Sequence, residues 1–181
     1  MTLPVPEFGR AVRIDTLSEV PRSLTVEADE AERAALAKRF DLQAIASLEA
    51  EVALVRRGET VSATGRLRAA VTQSCVASGE PVEAVIDEPF RILFSPLPEA
   101  DGGEEEIELS EEECDVVFYE GGSVDVGEAA AETLALSLDP WPRAAGAEEV
   151  LKEAGVVSED EAQEAASPFA GLAGLRDSLK G

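Results

Sequence analysis

Few side chains in this sequence could carry out covalent chemistry or bind a metal. Histidine is absent, which excludes Ser-His-Asp triads, Cys-His nucleophiles and His-ligated zinc. The two cysteines, Cys75 and Cys114, are too few for a disulfide framework or a four-thiolate zinc site. In Cys75-Val76-Ala77-Ser78, a serine stands where a Cys-x-x-Cys would place its second thiol. We therefore predict a buried structural cysteine at a strand end and no bound metal or cofactor.

A run of glutamates between residues 101 and 115 is the second chemical feature. Two glutamate triplets could bind a hard cation, but the run lacks the Asp/Asn-Gly spacing of a calcium loop. A solvated loop is the simple interpretation, and a contact surface for a basic partner is the functional one. The candidate partner contacts are Glu104, Glu105, Glu106, Glu111, Glu112 and Glu113.

Arginines form the third feature. Arg66 and Arg68 share one face of a predicted strand, and such a face could bind the phosphates of RNA. No aromatic residue interleaves with them, so base stacking is not indicated. The structural alternative is cross-strand pairing with Glu49, Glu51 or Glu83. The candidate RNA contacts are Arg56, Arg57, Arg66, Arg68 and Arg91.

The charge of the 181 residues is strongly negative and uneven. The sequence has 15 basic and 38 acidic residues, which gives a net charge of −23. Residues 1–100 hold 11 basic and 16 acidic side chains, whereas residues 101–181 hold 4 and 22. The second part should repel bare RNA and attract a cationic partner. With no signal-peptide pattern and no long apolar run, we expect a cytoplasmic protein without a membrane partner or small-molecule substrate.

Hydrophobicity alternates with a period of two in three stretches, which predicts strands. The stretches cover residues 48–54, 61–72 and 82–94, the last with an interruption at Pro89. Gly65 within the second predicts a bulge. Short turns between such runs are typical of an antiparallel meander.

Two helices are predicted beside these strands. Asp29 and Asp125 are each followed three residues later by a glutamate, the spacing of a capping box. The pattern predicts helices over 29–40 and 125–138. The second is apolar nearly all round, so we expect a sheet to cover it. Pro140 ends it.

These elements predict an α+β fold, a curved antiparallel sheet or partly open barrel packed by two main helices. We assign this domain to residues 1–143. Residues 144–167, rich in Ala, Glu and Gly, are predicted to be an acidic flexible linker within a disordered tail. Residues 168–181, near the end of the sequence, are predicted to be a short apolar segment, which we call the anchor. Its apolar residues at helical spacing are Phe169, Leu172 and Leu175.

Two stretches are distinctive when taken together. A strand that ends in Cys75 leads into a hairpin with Phe90 and Phe94. A capped helix later closes on Asp-Pro-Trp-Pro-Arg at residues 139–143. This order, and the anchor, resemble the YceD family, the large ribosomal RNA subunit accumulation proteins, over roughly residues 8–175. The motif residues are Cys75, Asp125, Gly127, Glu128, Glu132, Leu134, Pro140, Trp141 and Pro142.

The resemblance implies a non-enzymatic cytoplasmic protein needed for accumulation of large-subunit ribosomal RNA. Many members of the family carry Cys-x-x-Cys, and some are described as metal-binding, but Ser78 departs from that pattern here. The expected function is support of ribosome assembly through a basic ribosomal protein, ribosomal RNA or both. The alternative is a general acidic adaptor or chaperone for basic proteins. Without histidine or an activated nucleophile, we do not expect an enzyme.

Overall fold

A computed structural model describes residues 6–97 and 115–156 of the chain. Its strands are β1 (Ala11–Arg13), β2 (Arg22–Glu27), β3 (Ala44–Arg57), β4 (Thr60–Ser74), β5 (Pro81–Pro96), β6 (Asp115–Tyr119) and β7 (Ser123–Asp125). Its helices are α1 (Glu30–Arg39), α2 (Val126–Ser137) and α3 (Ala147–Glu153), and a short 3-10 turn spans Ile14–Thr16. None of these helices is long and apolar enough to cross a membrane. The fold class is α+β, as predicted.

The main sheet has five strands in the order β2-β3-β4-β5-β6. The predicted antiparallel meander is confirmed for β3 to β5. β2 adds to β3 in the antiparallel direction, whereas β6 pairs with β5 in parallel. Of the two predicted forms, the structure has the sheet: among the described residues β2 and β6 are separate edges that do not pair with each other, so the sheet is not closed into a barrel. β1 and β7 form a second, two-stranded antiparallel sheet.

The period-two pattern places the core on one face of the main sheet. Leu48, Leu54, Val61 and Leu67 are buried there, and the residues that alternate with this buried set point to the other face. Pro89 does not interrupt β5, which is continuous to Pro96. Proline is tolerated at this point because β6 pairs with β5 only from Ile92 onward, so one edge of β5 lacks a neighbouring strand at Pro89.

Gly65 marks a close approach and not the bulge that the sequence predicted. It stays in register with Val52 and Phe90, and the register shift lies instead between Ile45 and Ser47. A Cβ atom at Gly65 would lie 2.7 Å from Cζ of the Phe90 ring. The absent side chain therefore leaves room for that aromatic ring.

The capping box of α1 forms as predicted. The Asp29 carboxylate accepts the Glu32 N–H at 2.9 Å, and the Glu32 carboxylate accepts the Asp29 N–H at 2.8 Å. These two bonds satisfy donors that have no partner within the helix. Leu36, on the inner side of α1, is completely buried.

The cap of α2 differs from the predicted capping box. Asp125 Oδ1 accepts the Glu128 N–H at 3.0 Å and also the Arg10 N–H at 2.8 Å. The Glu128 carboxylate does not return to Asp125 but binds Arg39 of α1, with Nη2–Oε1 at 2.6 Å. The cap therefore also fixes the segment before β1, and Glu128 connects the two helices.

The prediction that a sheet covers α2 is confirmed for one side of the helix, but not every apolar residue of α2 is covered. Leu134 is completely buried, whereas Leu136 is 80 % exposed. The helix contacts β4, β5 and β1 with one side only.

A third helix lies where the sequence predicted an unstructured linker. α3 occupies Ala147–Glu153, and its first residue, Ala147, is buried. The two-helix prediction was therefore incomplete, because the Ala- and Glu-rich composition that indicated disorder also favours helix formation. The rest of the predicted linker from residue 157, the anchor 168–181 and the acidic run lie outside the described residues.

The two leucines of α2 provide a matched test of this packing. We expect Leu134→Ala to lower the free energy of unfolding by about 2–5 kcal/mol, since it leaves a cavity in the core. Leu136→Ala removes the same atoms from an exposed position and should cost less than about 0.5 kcal/mol. Urea denaturation of both variants measures the difference. Equal losses would contradict the orientation of α2.

Asp125 accepts N–H groups from both Arg10 and Glu128, so we expect its substitution to lower the stability more than substitution of Asp29. Asp125→Ala removes the acceptor of two backbone N–H groups and should cost about 1–2 kcal/mol. Asp125→Asn keeps an oxygen acceptor at the same place and should retain most of the stability. Urea denaturation measures the stability of both variants. If the Asn variant is as unstable as the Ala variant, the two hydrogen bonds do not account for the stabilising effect of Asp125.

Candidate functional site

The two arginines predicted to contact RNA lie side by side on the outer face of β4, but both are in ion pairs. Arg66 Nε lies 2.5 Å from Asp87 Oδ1, and Arg68 Nη1 lies 3.0 Å from Glu51 Oε1. Arg68 Nε also lies 3.7 Å from the same Asp87 oxygen. The hydrogen bond from Arg66 lowers the pKa of Asp87 and raises the pKa of Arg66 itself. The positive charge of this face is therefore matched by carboxylates from both neighbouring strands.

Cross-strand pairing, the structural alternative, is thus present with one partner that the sequence analysis missed. Glu51 had been expected and Asp87 had not. Asp87 is directly opposite Arg68 in the β4–β5 register. The signal was available, since alternation along β5 puts Asp87 on the face opposite Ile86, which is buried.

Of the other predicted RNA contacts, Arg91 lies on the same outer face, opposite Thr64 and diagonal to Arg66, whereas Arg56 and Arg57 lie at the β3–β4 turn. Arg56 Nε donates to the Gly58 carbonyl at 2.8 Å and Nη1 to the Ile14 carbonyl at 3.0 Å, so its side chain supports the β3–β4 turn. Arg57 ends β3 at the same turn, and Arg91 is exposed on β5. Arg56 pairs with Val61, five residues before Arg66, which is about 17 Å along the strand.

Cys75 is buried, as predicted, and its sulfur accepts several hydrogen bonds. The Ala144 N–H donates to Sγ at 3.3 Å. This bond is the largest cause that lowers the pKa of the Cys75 thiol to about 7, and the Ser78 hydroxyl is the second. The N–H groups of Ser78 and Ala77 lower the pKa less, and burial of the thiol raises it. No local sequence pattern indicates these neutral donors, since Ala144 lies 69 residues from Cys75. Ser78 thus places a hydroxyl where a second thiol would stand in a metal-binding turn, and this hydroxyl also donates to Glu80 Oε2 at 3.0 Å.

The Asp-Pro-Trp-Pro-Arg segment lies against the end of β4 that carries Cys75. Gln73 Nε2 donates to the Asp139 carbonyl at 2.8 Å, and the Val76 N–H donates to the Pro142 carbonyl at 2.9 Å. The Trp141 N–H donates to Asp139 Oδ1 at 2.9 Å. Pro142 is buried, whereas the Trp141 side chain is 71 % exposed. The two halves of the motif identified in the sequence therefore form one structural unit.

The motif residues on α2 divide into structural and exposed ones. Asp125, Gly127 and Leu134 serve the cap and the core. A Cβ atom at Gly127 would lie 1.9 Å from the Phe8 carbonyl oxygen, so only glycine fits. Glu132 is exposed, and its pKa is raised by partial desolvation and by the nearby Glu128 carboxylate.

Metal-ligating side chains do not gather within residues 6–97 and 115–156, where no group of three or more Cys, Asp or Glu could hold an ion. Cys114 and the six glutamates proposed to contact a basic partner fall outside these ranges. The candidate functional features of the described residues are therefore an ion-paired sheet face, a buried thiol and an exposed tryptophan.

The Cys75 thiol predicts a pH-dependent stability. Its folded pKa of about 7 lies below the value of about 8.5 in an unfolded chain, so folding favours the thiolate. The stabilising contribution is full above the unfolded pKa and is lost as the pH falls through 7. Relative to Cys75→Ala, both in a Cys114→Ser background, the urea midpoint of the parent should rise between about pH 7 and pH 9. Ser78→Ala should reduce that rise, and a constant difference across this range would contradict the assignment.

Comparison with known proteins supports the resemblance seen in the sequence. The model of one family, described as large ribosomal RNA subunit accumulation protein YceD, matches residues 63–176. This match covers more than half of the chain and includes the Cys75 turn, α2 and the Asp-Pro-Trp-Pro-Arg segment. Neither the curated proteins nor the solved structures include a significant match. The chain belongs to the YceD family of large ribosomal RNA subunit accumulation proteins.

Proposed function

We propose that this protein supports the accumulation of large-subunit ribosomal RNA by binding a basic ribosomal protein through its acidic residues. Membership of the YceD family implies the role in ribosomal RNA accumulation, and the family's description names no catalysed reaction. The nature of the direct ligand is the new element of the proposal. The observation that supports it most is the neutralisation of Arg66 and Arg68 by Asp87 and Glu51.

The charge of the outer sheet face argues against RNA as the main ligand of that face. Alternation along the strands places four arginines and five acidic side chains on it. These residues are Arg57, Arg66, Arg68 and Arg91, and Glu27, Glu49, Glu51, Glu83 and Asp87. A phosphate that approached Arg66 or Arg68 would have to displace a carboxylate that is already bound, and the remaining acidic groups would repel it.

The charge of the remaining chain favours a cationic protein. Residues 101–181 carry 4 basic and 22 acidic side chains. Such a charge raises the association rate of a basic partner by long-range attraction and disfavours anionic ligands. Ribosomal proteins that contact RNA carry basic surfaces suited to this attraction, which explains how an acidic protein can serve ribosomal RNA without binding it tightly. The Arg66 and Arg68 pair then makes at most a secondary contact.

Affinity capture of the full chain, followed by mass spectrometry, tests the class of partner. Large-subunit ribosomal proteins or their assembly precursors are the expected partners. A diverse set of basic proteins without ribosomal enrichment would instead identify a general acidic adaptor. Capture of ribosomal RNA that survives removal of the proteins would contradict the proposal.

Charge substitutions in the acidic run test which surface binds. Changing Glu104, Glu105, Glu106, Glu111, Glu112 and Glu113 to Gln should weaken binding to large-subunit precursors. It should also flatten the fall of the association rate with salt, because screening limits electrostatic reach to about 8 Å at 0.15 M salt. Arg66→Gln with Arg68→Gln should leave binding nearly unchanged. Association rates measured over a salt series report both effects.

A matched control separates a specific acidic surface from net charge. It changes six exposed glutamates of the described domain to Gln, namely Glu19, Glu27, Glu30, Glu59, Glu83 and Glu120. We expect this variant to retain most of the affinity. Equal weakening by both sets would indicate attraction by total charge alone. Loss of binding in the arginine variant, with the glutamate variant unaffected, would identify the sheet face as the RNA-binding surface.

A further inference from the structure

Exposed apolar residues concentrate at one stretch of the described chain. Leu136, Trp141, Val150 and Val156 are all exposed and lie within residues 136–156. Val76, 51 % exposed, is tied to the same stretch because its N–H donates to the Pro142 carbonyl. A single exposed apolar residue is ordinary on a protein surface, whereas a large aromatic residue with apolar residues along the same stretch indicates a surface that another segment covers.

Trp141 is held in place although its side chain faces solvent. The Asp139 carboxylate accepts its N–H, and the residues on both sides are prolines. The Gln73, Val76 and Ala144 hydrogen bonds fix the flanking backbone to the Cys75 turn. A tryptophan on a fixed backbone loses little further entropy when it is covered, which is the property of an anchor residue in an interface.

We propose that the apolar anchor, residues 168–181, docks on the Trp141 surface of its own chain. This inference is independent of the proposed function. In sequence, the anchor repeats apolar residues at helical spacing, Phe169, Leu172 and Leu175, the pattern with which an amphipathic helix covers an apolar surface. The structure supplies the exposed surface, and the sequence supplies the segment that fits it.

The connection between the two is short enough to reach. The described chain leaves α3 at Val156, and α3 begins three residues after Ala144, whose N–H binds Cys75 Sγ. Residues 157–167 then span up to about 35 Å when extended. A segment tethered by such a length has an effective concentration in the millimolar range, which favours it over a separate partner of the same intrinsic affinity.

Charge also favours the anchor over a nucleic acid. The anchor carries Arg176 and Lys180 against a single Asp177. The surface it would cover has Asp139 beside Trp141 and acidic residues in the first turn of α3. Arg143 and Lys152 are outnumbered by the four acidic residues of 136–156, so base stacking on Trp141 would bring phosphates toward a mostly acidic surface.

Fluorescence gives a direct test because Trp141 is the single tryptophan of the chain. In the full chain we expect a blue-shifted emission and poor access of acrylamide to the indole. Phe169→Asp combined with Leu172→Asp should shift the emission to the red and increase the quenching constant. Ala165→Asp combined with Ala166→Asp adds the same charge outside the anchor and should leave both values unchanged.

Two further measurements complete the test. The protection should persist on dilution, since the anchor belongs to the same chain; protection lost on dilution would mean that a second copy covers Trp141 and would overturn the proposal. Trypsin should cleave after Arg176 faster in Trp141→Ala than in the parent, with circular dichroism confirming that both are folded. An indole that is equally accessible in the parent and the Phe169/Leu172 variant would overturn the proposal as well.

Discussion

The contact between the first turn of α2 and the segment Phe8–Arg10 is the constraint on which the rest of the fold depends. The Asp125 carboxylate binds N–H groups of both partners, and the missing side chain of Gly127 allows the Phe8 carbonyl to approach the helix. Phe8 is completely buried at this point. Because β7 leads directly into α2, the same contact sets the register in which β1 pairs with β7. One short junction thus joins the beginning of the described chain to its last main helix.

Arg39 extends that junction to α1. Its guanidinium binds Glu128 of α2 and Glu7 of the first segment, and these contacts raise the pKa of Arg39. The pKa of Glu7 is lowered mainly by a backbone hydrogen bond and further by Arg39. Arg10 makes a similar connection to Glu32, whose carboxylate also closes the α1 capping box. These ion pairs are partly exposed, so their energy is modest, but they orient both helices over the inner face of the sheet. The outer face is left open to solvent and carries the ion-paired arginines.

Local features of this fold were predictable from the sequence, and features that depend on distant residues were not. Alternation identified the buried faces of β3 to β5, and Asp29 with Glu32 identified the start of α1. The donors to Cys75 include an N–H from Ala144, 69 residues away, which no local pattern reveals. The parallel pairing of β6 was equally hidden, because strand direction is decided by the path of the whole chain.

The pairing of β1 with β7 affects the order in which parts of the protein fold during synthesis. Ala11 opposes Asp125, so this small sheet closes a loop that spans most of the described chain. The β3, β4 and β5 hairpins join neighbours in sequence and form quickly, whereas closure of a long loop carries a larger entropic cost. During synthesis, β1 therefore waits, unpaired, until α2 has left the ribosome. Acquisition of the native state is tied to completion of nearly the whole domain.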